Sequence, residues 1–427
     1  MSESSLNTQH TSTESESILQ LEGVSKHFDV DSGLLEGIRH RLTNADQETV
    51  RAVEDVSFDV KKGETFGLVG ESGCGKSTLA RAILQLIRPT GGRVYFQGED
   101  LCELSQREIR SKRRDMQMVF QDPQSSLNPR LKVGQIIEEP MEAHGILDEA
   151  GREEKARELL SKVGLSQDHY DRYPHAFSGG QRQRINLARA LSVEPDLVVC
   201  DEPVSALDVS VQAQVLNLMA DLQDEFDLTY IIISHDLSVI RYICDRVAVM
   251  YLGHIVELAE SNLIFDDPKH PYTRALLGSI PVPDPQKSEV RSVIRGEVPS
   301  PINPPSGCRF RTRCQSIIPA EQYDFSDEAW QTTLDYIRSV KYREISSSTF
   351  EATYEEIFGG VQLDPDAERI IRSTLEDVHA NKWEQATETL TETFIKTSIC
   401  AQERPIYRIK NSEGSRYVEC HLYRNQQ

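Results

Sequence analysis

The run Gly70-Glu71-Ser72-Gly73-Cys74-Gly75-Lys76-Ser77-Thr78 constrains this chain more than any other feature. It follows an apolar stretch ending at Leu68-Val69 and precedes the helix-patterned residues Leu79 to Leu86. This is G-x-x-x-x-G-K-[ST] in the strand, loop, helix context that gives the pattern its meaning. Glycines at these positions let successive backbone N–H groups converge on phosphate oxygens. The helix that follows adds the positive end of its dipole. Lys76 is positioned to reach the outer phosphates of a nucleoside triphosphate, and the Ser77 hydroxyl to bind Mg²⁺. Cys74 reads as a small loop residue. Strands alternating with helices over Gly70 to Ile255 then predict an α/β fold.

Two further segments extend the site. Leu197-Val198-Val199-Cys200 is an apolar strand that ends in Asp201-Glu202. Two carboxylates at a buried strand end need a reason, because buried charge is costly. Asp201 is read as holding Mg²⁺ through water and Glu202 as the general base that polarises the attacking water. Upstream, Phe177-Ser178-Gly179-Gly180-Gln181 precedes the basic helix Arg182 to Ala190. A second glycine-rich helix start is a second anion cradle, and one ATP needs only one loop of the first kind. The second cradle therefore faces ATP held by another protomer.

At this point the chain resembles the ABC ATPase family, whose signature motif is the Ser178-Gly179-Gly180-Gln181 run. The resemblance implies a P-loop nucleotide hydrolase of ABC ATPase type. Its expected parts are a RecA-like α/β core, an antiparallel β subdomain and a helical subdomain, here with a C-terminal Cys-containing extension. It implies that Gln121, in Met118-Val119-Phe120-Gln121-Asp122, touches the metal site and reports on a permease. His235, in Ile232-Ile233-Ser234-His235-Asp236, matches the switch histidine near the outermost phosphate. Asp208, ending Ser205-Ala206-Leu207-Asp208, matches a loop that crosses the dimer interface. Phe28 lies where the family places an aromatic that stacks on adenine. A core Phe in a strand is the competing reading, and His27 is a weaker candidate for the stacking role.

Finer details are similar to the ATP-binding subunits of oligopeptide and dipeptide importers, in particular the second of two paired subunits. They are Val119 to Arg130, Asp201 to Ser210, His270-Pro271-Tyr272-Thr273-Arg274-Ala275-Leu276-Leu277, and Pro299 to Cys308. The resemblance implies a paralogous second ATPase subunit, two membrane permease subunits and, indirectly, an extracellular solute-binding protein. It places the chain in the cytoplasm, peripheral on the inner face of the cell membrane. Other readings stay open: a subunit for nickel or another solute, a soluble ABC ATPase without a permease, and a nucleotide-gated regulator.

The 68 acidic residues exceed the 47 basic ones, for a formal charge of -21. That excludes a nucleic-acid binder relying on phosphate neutralisation. The excess fits either a soluble acidic protein with an acidic insertion or a halophile's salt-rich cytoplasm, where screening makes dense carboxylates tolerable. Residues 1–17 read as a disordered polar tail, 18–265 as the ATPase domain with a helical subdomain about 122–180, and 266–305 as a proline-marked linker. Residues 306–427 read as a Cys-containing domain with a helical acidic insertion about 316–398. A polar loop is expected around Asp31 to Glu48. No apolar stretch approaches the roughly 20 residues needed to span a bilayer. Cys308, Cys314, Cys400 and Cys420 make a set of four tail cysteines. Related subunits carry four such cysteines, and the resemblance implies a [4Fe-4S] cluster. Four thiolates equally suit tetrahedral Zn²⁺, and metal-free thiols are the third reading.

Overall fold

The computed structural model describes residues 17–30, 48–122, 126–279, 294, 296–346, 349–411 and 414–425. The tail 1–16, most of the polar loop (31–47), Pro123 to Ser125 and the proline-rich residues 280–293 lie outside the described residues. The chain divides into two compact units, Met1–Ala248 and Val249–Gln427.

In the first unit, β1 (Ser17–Asp29) runs antiparallel between β2 (Thr49–Lys61) and β4 (Gly91–Phe96), with Leu21 opposite Phe58 and Val94. Ser17, expected in the tail, opens this strand: it pairs with Lys61, and its hydroxyl donates to the Val60 carbonyl at 3.3 Å. A parallel sheet carries β3 (Thr65–Val69), β5 (Met116–Val119), β6 (Leu197–Asp201) and β7 (Thr229–Ser234). Its order is β3-β7-β6-β5. Every residue of β3, β6 and β7 is buried, as expected when both faces of a parallel sheet are covered. Each fully buried Leu, Ile or Val in it contributes about 1.5–3 kcal/mol.

Helix α1 (Lys76–Ile83) follows β3 directly. Two helices, α2 (Val133–His144) and α3 (Glu149–Lys162), occupy the stretch read as a helical subdomain. On α3 the helical spacing resolves into one buried stripe of Ala156, Leu159 and Leu160. Gly134 of α2 has no room for a side chain: a Cβ there would sit 2.1 Å from the Tyr170 ring. Tyr170 is held by its hydroxyl donating to Glu138 Oε1 at 2.5 Å and by the Arg157 guanidinium 4.2 Å from its ring. Helix α4 (Gly179–Leu191) precedes β6, and α5 (Val209–Phe226) joins it to β7.

In the second unit, β8 (His254–Glu260) pairs antiparallel with β10 (Gly414–Val418), placing Glu257 opposite Val418. Strand β10 forms a hairpin with β9 (Tyr407–Asn411). The strand at His254, assigned from sequence to the ATPase domain, is thus completed by residues from the chain's end. The expected linker 266–305 contains a helix, α6 (Pro271–Gly278), with Tyr272, Thr273 and Ala275 buried. Pro at the first helical position and a capping His270 explain it.

Between Cys314 and Cys400 stand α7 (Asp327–Tyr342), α8 (Phe350–Phe358), α9 (Pro365–His379) and α10 (Trp383–Leu390), the last continuing into a π turn, Thr391–Ile395. These helices share their own core, including Trp330, Tyr336, Phe358, Ile371 and Phe394. Ser326 caps α7 by accepting the Ala329 N–H, with Asp327 and Glu328 in the first turn, where acidic side chains meet the positive helix end. The two ends of the excursion meet. Cys308 N donates to Cys400 O at 2.8 Å, and the Ser398 hydroxyl donates to Ile318 O at 2.6 Å.

Candidate active site

Parallel strands end on one edge of a sheet, and register decides how close those ends come. Val69 is opposite Ser234, Asp201 opposite Ile233, and Val119 opposite Cys200. The residues that follow each strand therefore gather at one edge: the loop from Gly70, then Gln121, Glu202 and His235. This is the carboxyl edge, where open α/β sheets bind ligands.

The loop is preformed. Gly70, Gly73 and Gly75 have φ of 153°, 77° and 110°, conformations that a side chain resists. Gly75 caps α1, whose first turn carries no acidic residue, so its positive end is open to an anion. Glu71 and Ser72 complete the turn, and Cys74 is buried beneath it. Lys76 is 7% exposed, and its ammonium donates to Gly70 O at 2.7 Å and Glu71 O at 3.0 Å. A buried ammonium held by neutral carbonyls and, at 3.8 Å, the Cys74 sulfur is available to a stronger anionic acceptor. The Ser77 hydroxyl donates to Asp201 Oδ1 at 3.2 Å. Burial raises the Asp201 carboxyl above its ordinary range, against the Ser77 hydrogen bond, and the neighbouring Glu202 adds to the rise. Thr78 continues α1.

Glu202 sits with φ of 50°, a left-handed conformation that is uncommon for a non-glycine residue and concentrates at functional sites. Its N–H donates to Ile233 O at 2.8 Å, which fixes the turn. Both carboxylate oxygens are engaged: Gln121 Nε2 donates to Oε2 at 2.7 Å, and His235 Nδ1 lies 2.9 Å from Oε1. The spacing of the motifs did not disclose this clamp, because Gln121 and His235 are brought to Glu202 by strand order. The local signal that finds all three is a polar residue one or two places after an apolar strand.

Ser178 caps α4, accepting the Gln181 N–H at 3.3 Å while its own N–H donates to Gln181 Oε1 at 3.1 Å. Ser178 and Gly179 are exposed and Gly180 is buried. A Cβ on Gly180 would lie 2.4 Å from Val211 Cγ1, and one on Gly179 3.2 Å from Leu207 Cδ2. Asp208 caps α5 at the surface, with Oδ1 accepting from the Ser210 hydroxyl at 2.7 Å and from Val211 N at 3.0 Å. Those two bonds hold its carboxyl below the ordinary range, the Ser210 hydroxyl most. Phe28 is 40% exposed, with the Lys26 ammonium 5.0 Å from its ring centre. Its exposure rules out the core-Phe reading.

A family model described as ABC transporter matches residues 53–205, and one described as oligopeptide/dipeptide transporter, C-terminal region, matches 256–319. A domain of unknown function matches 319–413. The chain is 53% identical to the oligopeptide transport ATP-binding protein AppF of Bacillus subtilis over 312 residues, 72% of this chain and 92% of that protein. The chain belongs to the ATP-binding protein family of ABC transporters. A putative peptide import ATP-binding protein of Brucella ovis is 50% identical over 324 residues, 76% of this chain and 95% of that protein. The probable peptide ABC transporter ATP-binding protein y4tS of Sinorhizobium fredii is 55% identical over 304 residues, 71% of this chain and 84% of that protein.

As a member of the ABC family the chain is an ATPase, with no described helix long and apolar enough to cross a membrane. In this ABC ATPase all eight cysteines are free. Cys308, Cys314, Cys400 and Cys420 line one cavity with His270, Phe310, Arg311 and His421. Burial pushes the Cys314 and Cys420 thiols up to about 12 and raises Cys308 and Cys400. Among the described residues no three His, Cys, Asp or Glu side chains converge to hold a single metal ion.

Proposed function

We propose that this chain is the ATP-binding and ATP-hydrolysing subunit that energises a peptide importer, working in a pair with a paralogous ATPase subunit beneath two membrane permease subunits. An extracellular solute-binding protein delivers the peptide, and the ATPase pair lies on the inner face of the cell membrane. The relatives' names support the cargo class, and the match at 256–319 supports the oligopeptide branch. The carboxylate excess supports work in a salt-rich cytoplasm.

The observation that carries the catalytic reading is the clamp on Glu202. Gln121 donates to one carboxylate oxygen and His235 faces the other, which holds the base where water would attack a phosphate bound over Lys76. The N–H groups of Gly70 to Thr78 and the Lys76 ammonium grip the phosphates, and Phe28 stacks on adenine. Ser77 and Asp201 fit Mg²⁺: their oxygens are adjacent and the Asp201 carboxyl is buried, with Gln121 completing the set. The ion would neutralise charge developing on the phosphates. Ser178, Gly179, Gly180, Gln181 and Asp208 of one subunit contact ATP held by its partner. ATP binds the closed pair better than the open one and so shifts that equilibrium. The loop at Gln121 transmits closure to the permease.

The test is ATP turnover in the assembled transporter, with and without peptide. Peptide-stimulated turnover that Lys76→Ala abolishes supports the reading; stimulation only by a metal chelate refutes the cargo.

For the tail, the four cysteines hold a [4Fe-4S] cluster. Two observations support the fit: all four thiols line one cavity, and the buried His270 Nε2 on its wall has no hydrogen-bond partner. A cluster takes one thiolate per iron, so the sulfurs need not converge on a point as they must for Zn²⁺. Bound there, the cluster supplies a one-electron couple. Iron and sulfide assay after anaerobic purification decides it: iron-free protein refutes the cluster.

A further inference from the structure

His270 opens a motif that nucleotide chemistry leaves unused. Its ring is 1% exposed and caps α6, with Nδ1 accepting the Tyr272 N–H at 3.1 Å. A ring nitrogen that accepts carries no proton, so the ring is the neutral tautomer with its hydrogen on Nε2. That Nε2 is buried and makes no hydrogen bond. The Glu419 carbonyl acts on the ring from nearby but stands outside hydrogen-bonding geometry to Nε2. Leaving a buried donor without its hydrogen bond is destabilising. Capping does not require imidazole, since Asn, Asp or Ser cap as well without a second buried donor.

The residue is also held in place. The Glu257 carboxylate, fully buried, accepts His270 N at 2.9 Å and Lys269 N at 2.8 Å. Phe310 stands 5.8 Å from the imidazole, ring centre to ring centre. The fixed ring lines the cavity shared by the four cysteines. By contrast His421, on the same cavity, has both nitrogens engaged, with Tyr407 and the Glu403 carbonyl.

We propose that His270 is a positioning residue for the four-cysteine site: its Nε2–H donates to a sulfur of the group held there, stabilising the more negative, reduced state and raising its potential. The inference rests on the cluster reading above. The two fail separately in one experiment on the full chain, purified anaerobically as wild type and as His270→Asn. Asn keeps an acceptor for the Tyr272 N–H and removes the second donor. Wild type without iron and sulfide overturns the cluster reading and this proposal together. With iron and sulfide equal in both proteins, the variant is expected to show a tenfold lower ratio of reduced to oxidised cluster at a fixed poise, which is 59 mV for one electron. An unchanged ratio overturns the proposal while the cluster stands, as does loss of iron from the variant alone. A second measurement needs no variant: the reduced wild type, labelled with ¹⁵N-histidine, is expected to show a weak ¹⁵N coupling in pulsed electron paramagnetic resonance. Absence of that coupling in iron-loaded protein overturns the proposal.

Discussion

Gly180→Ala tests how the signature helix α4 is seated. The added Cβ would lie 2.4 Å from Val211 Cγ1, more than about 1 Å inside comfortable carbon–carbon contact. Val211 lies in the first turn of α5, where a β-branched residue has one strongly preferred rotamer, so it cannot swing away cheaply. Overpacking of this kind costs about 1–3 kcal/mol. The gain in helix propensity from Gly to Ala, about 1 kcal/mol in a helix interior, offsets part of that. We expect a net loss of up to about 2 kcal/mol for Gly180→Ala. Val211→Ala opens the space, so the double variant should recover most of the loss, with a coupling of about 1–3 kcal/mol. The assay is urea unfolding of wild type, both single variants and the double, with ATP turnover measured alongside in the assembled transporter. A displacement near 1 Å at Ser178 should lower turnover by up to about 100-fold, and Val211→Ala should restore it. Effects of the two substitutions that add to within about 0.5 kcal/mol would refute this account of the contact.

Glu202→Gln should keep ATP binding and cut turnover by at least about 100-fold, read by a filter-binding assay beside phosphate release; unchanged turnover removes Glu202 as base. Phe28→Ala should weaken ATP binding by about 1–3 kcal/mol, the range for an aromatic stacked on a base, with kcat nearly unchanged in a titration against ATP. Gly134→Ala should destabilise by several kcal/mol, because the Tyr170 ring stands 2.1 Å from the new Cβ and is pinned by Glu138; the thermal midpoint reads it. Burial raises the Glu64 carboxyl, against the Lys61 N–H and Arg246. The folded chain thus binds that proton more tightly than the unfolded one, and this residue's contribution to stability is full in acid and lost as pH rises through the raised value. Glu64→Gln should flatten that slope in unfolding midpoints measured across the window.

The features legible in the sequence are those whose parts are adjacent in it. The loop Gly70 to Thr78, the strand ending in Asp201-Glu202 and the capped start at Ser178 each carry their geometry within a few residues. The clamp on Glu202 was not legible, because Gln121 and His235 reach it only through the order and register of β5, β6 and β7. Nor was the hairpin at Tyr407–Val418, whose Arg416 is buried and donates to the Asp267 carbonyl at 2.6 Å. Nothing local announces such a partner 149 residues away. The helix at Pro271 was marked by proline at its start, yet the surrounding prolines suggested a linker. The cysteines illustrate the same limit: their spacing lacks a tight pair, and the chain's return at Cys400 is what unites them.

That return has a consequence for how the protein could be cut and rejoined. The excursion between Cys314 and Cys400 leaves and re-enters at neighbouring points, where Cys308 and Ser398 bond to Cys400 and Ile318, and its helices bury their apolar faces against one another. A module closed on itself behaves as a pendant. Closing a longer loop adds only about 0.6 kcal/mol per doubling of length, so lineages could gain or shed such a pendant with little penalty to the parent framework, and a short glycine bridge in its place should leave the rest of the tail foldable.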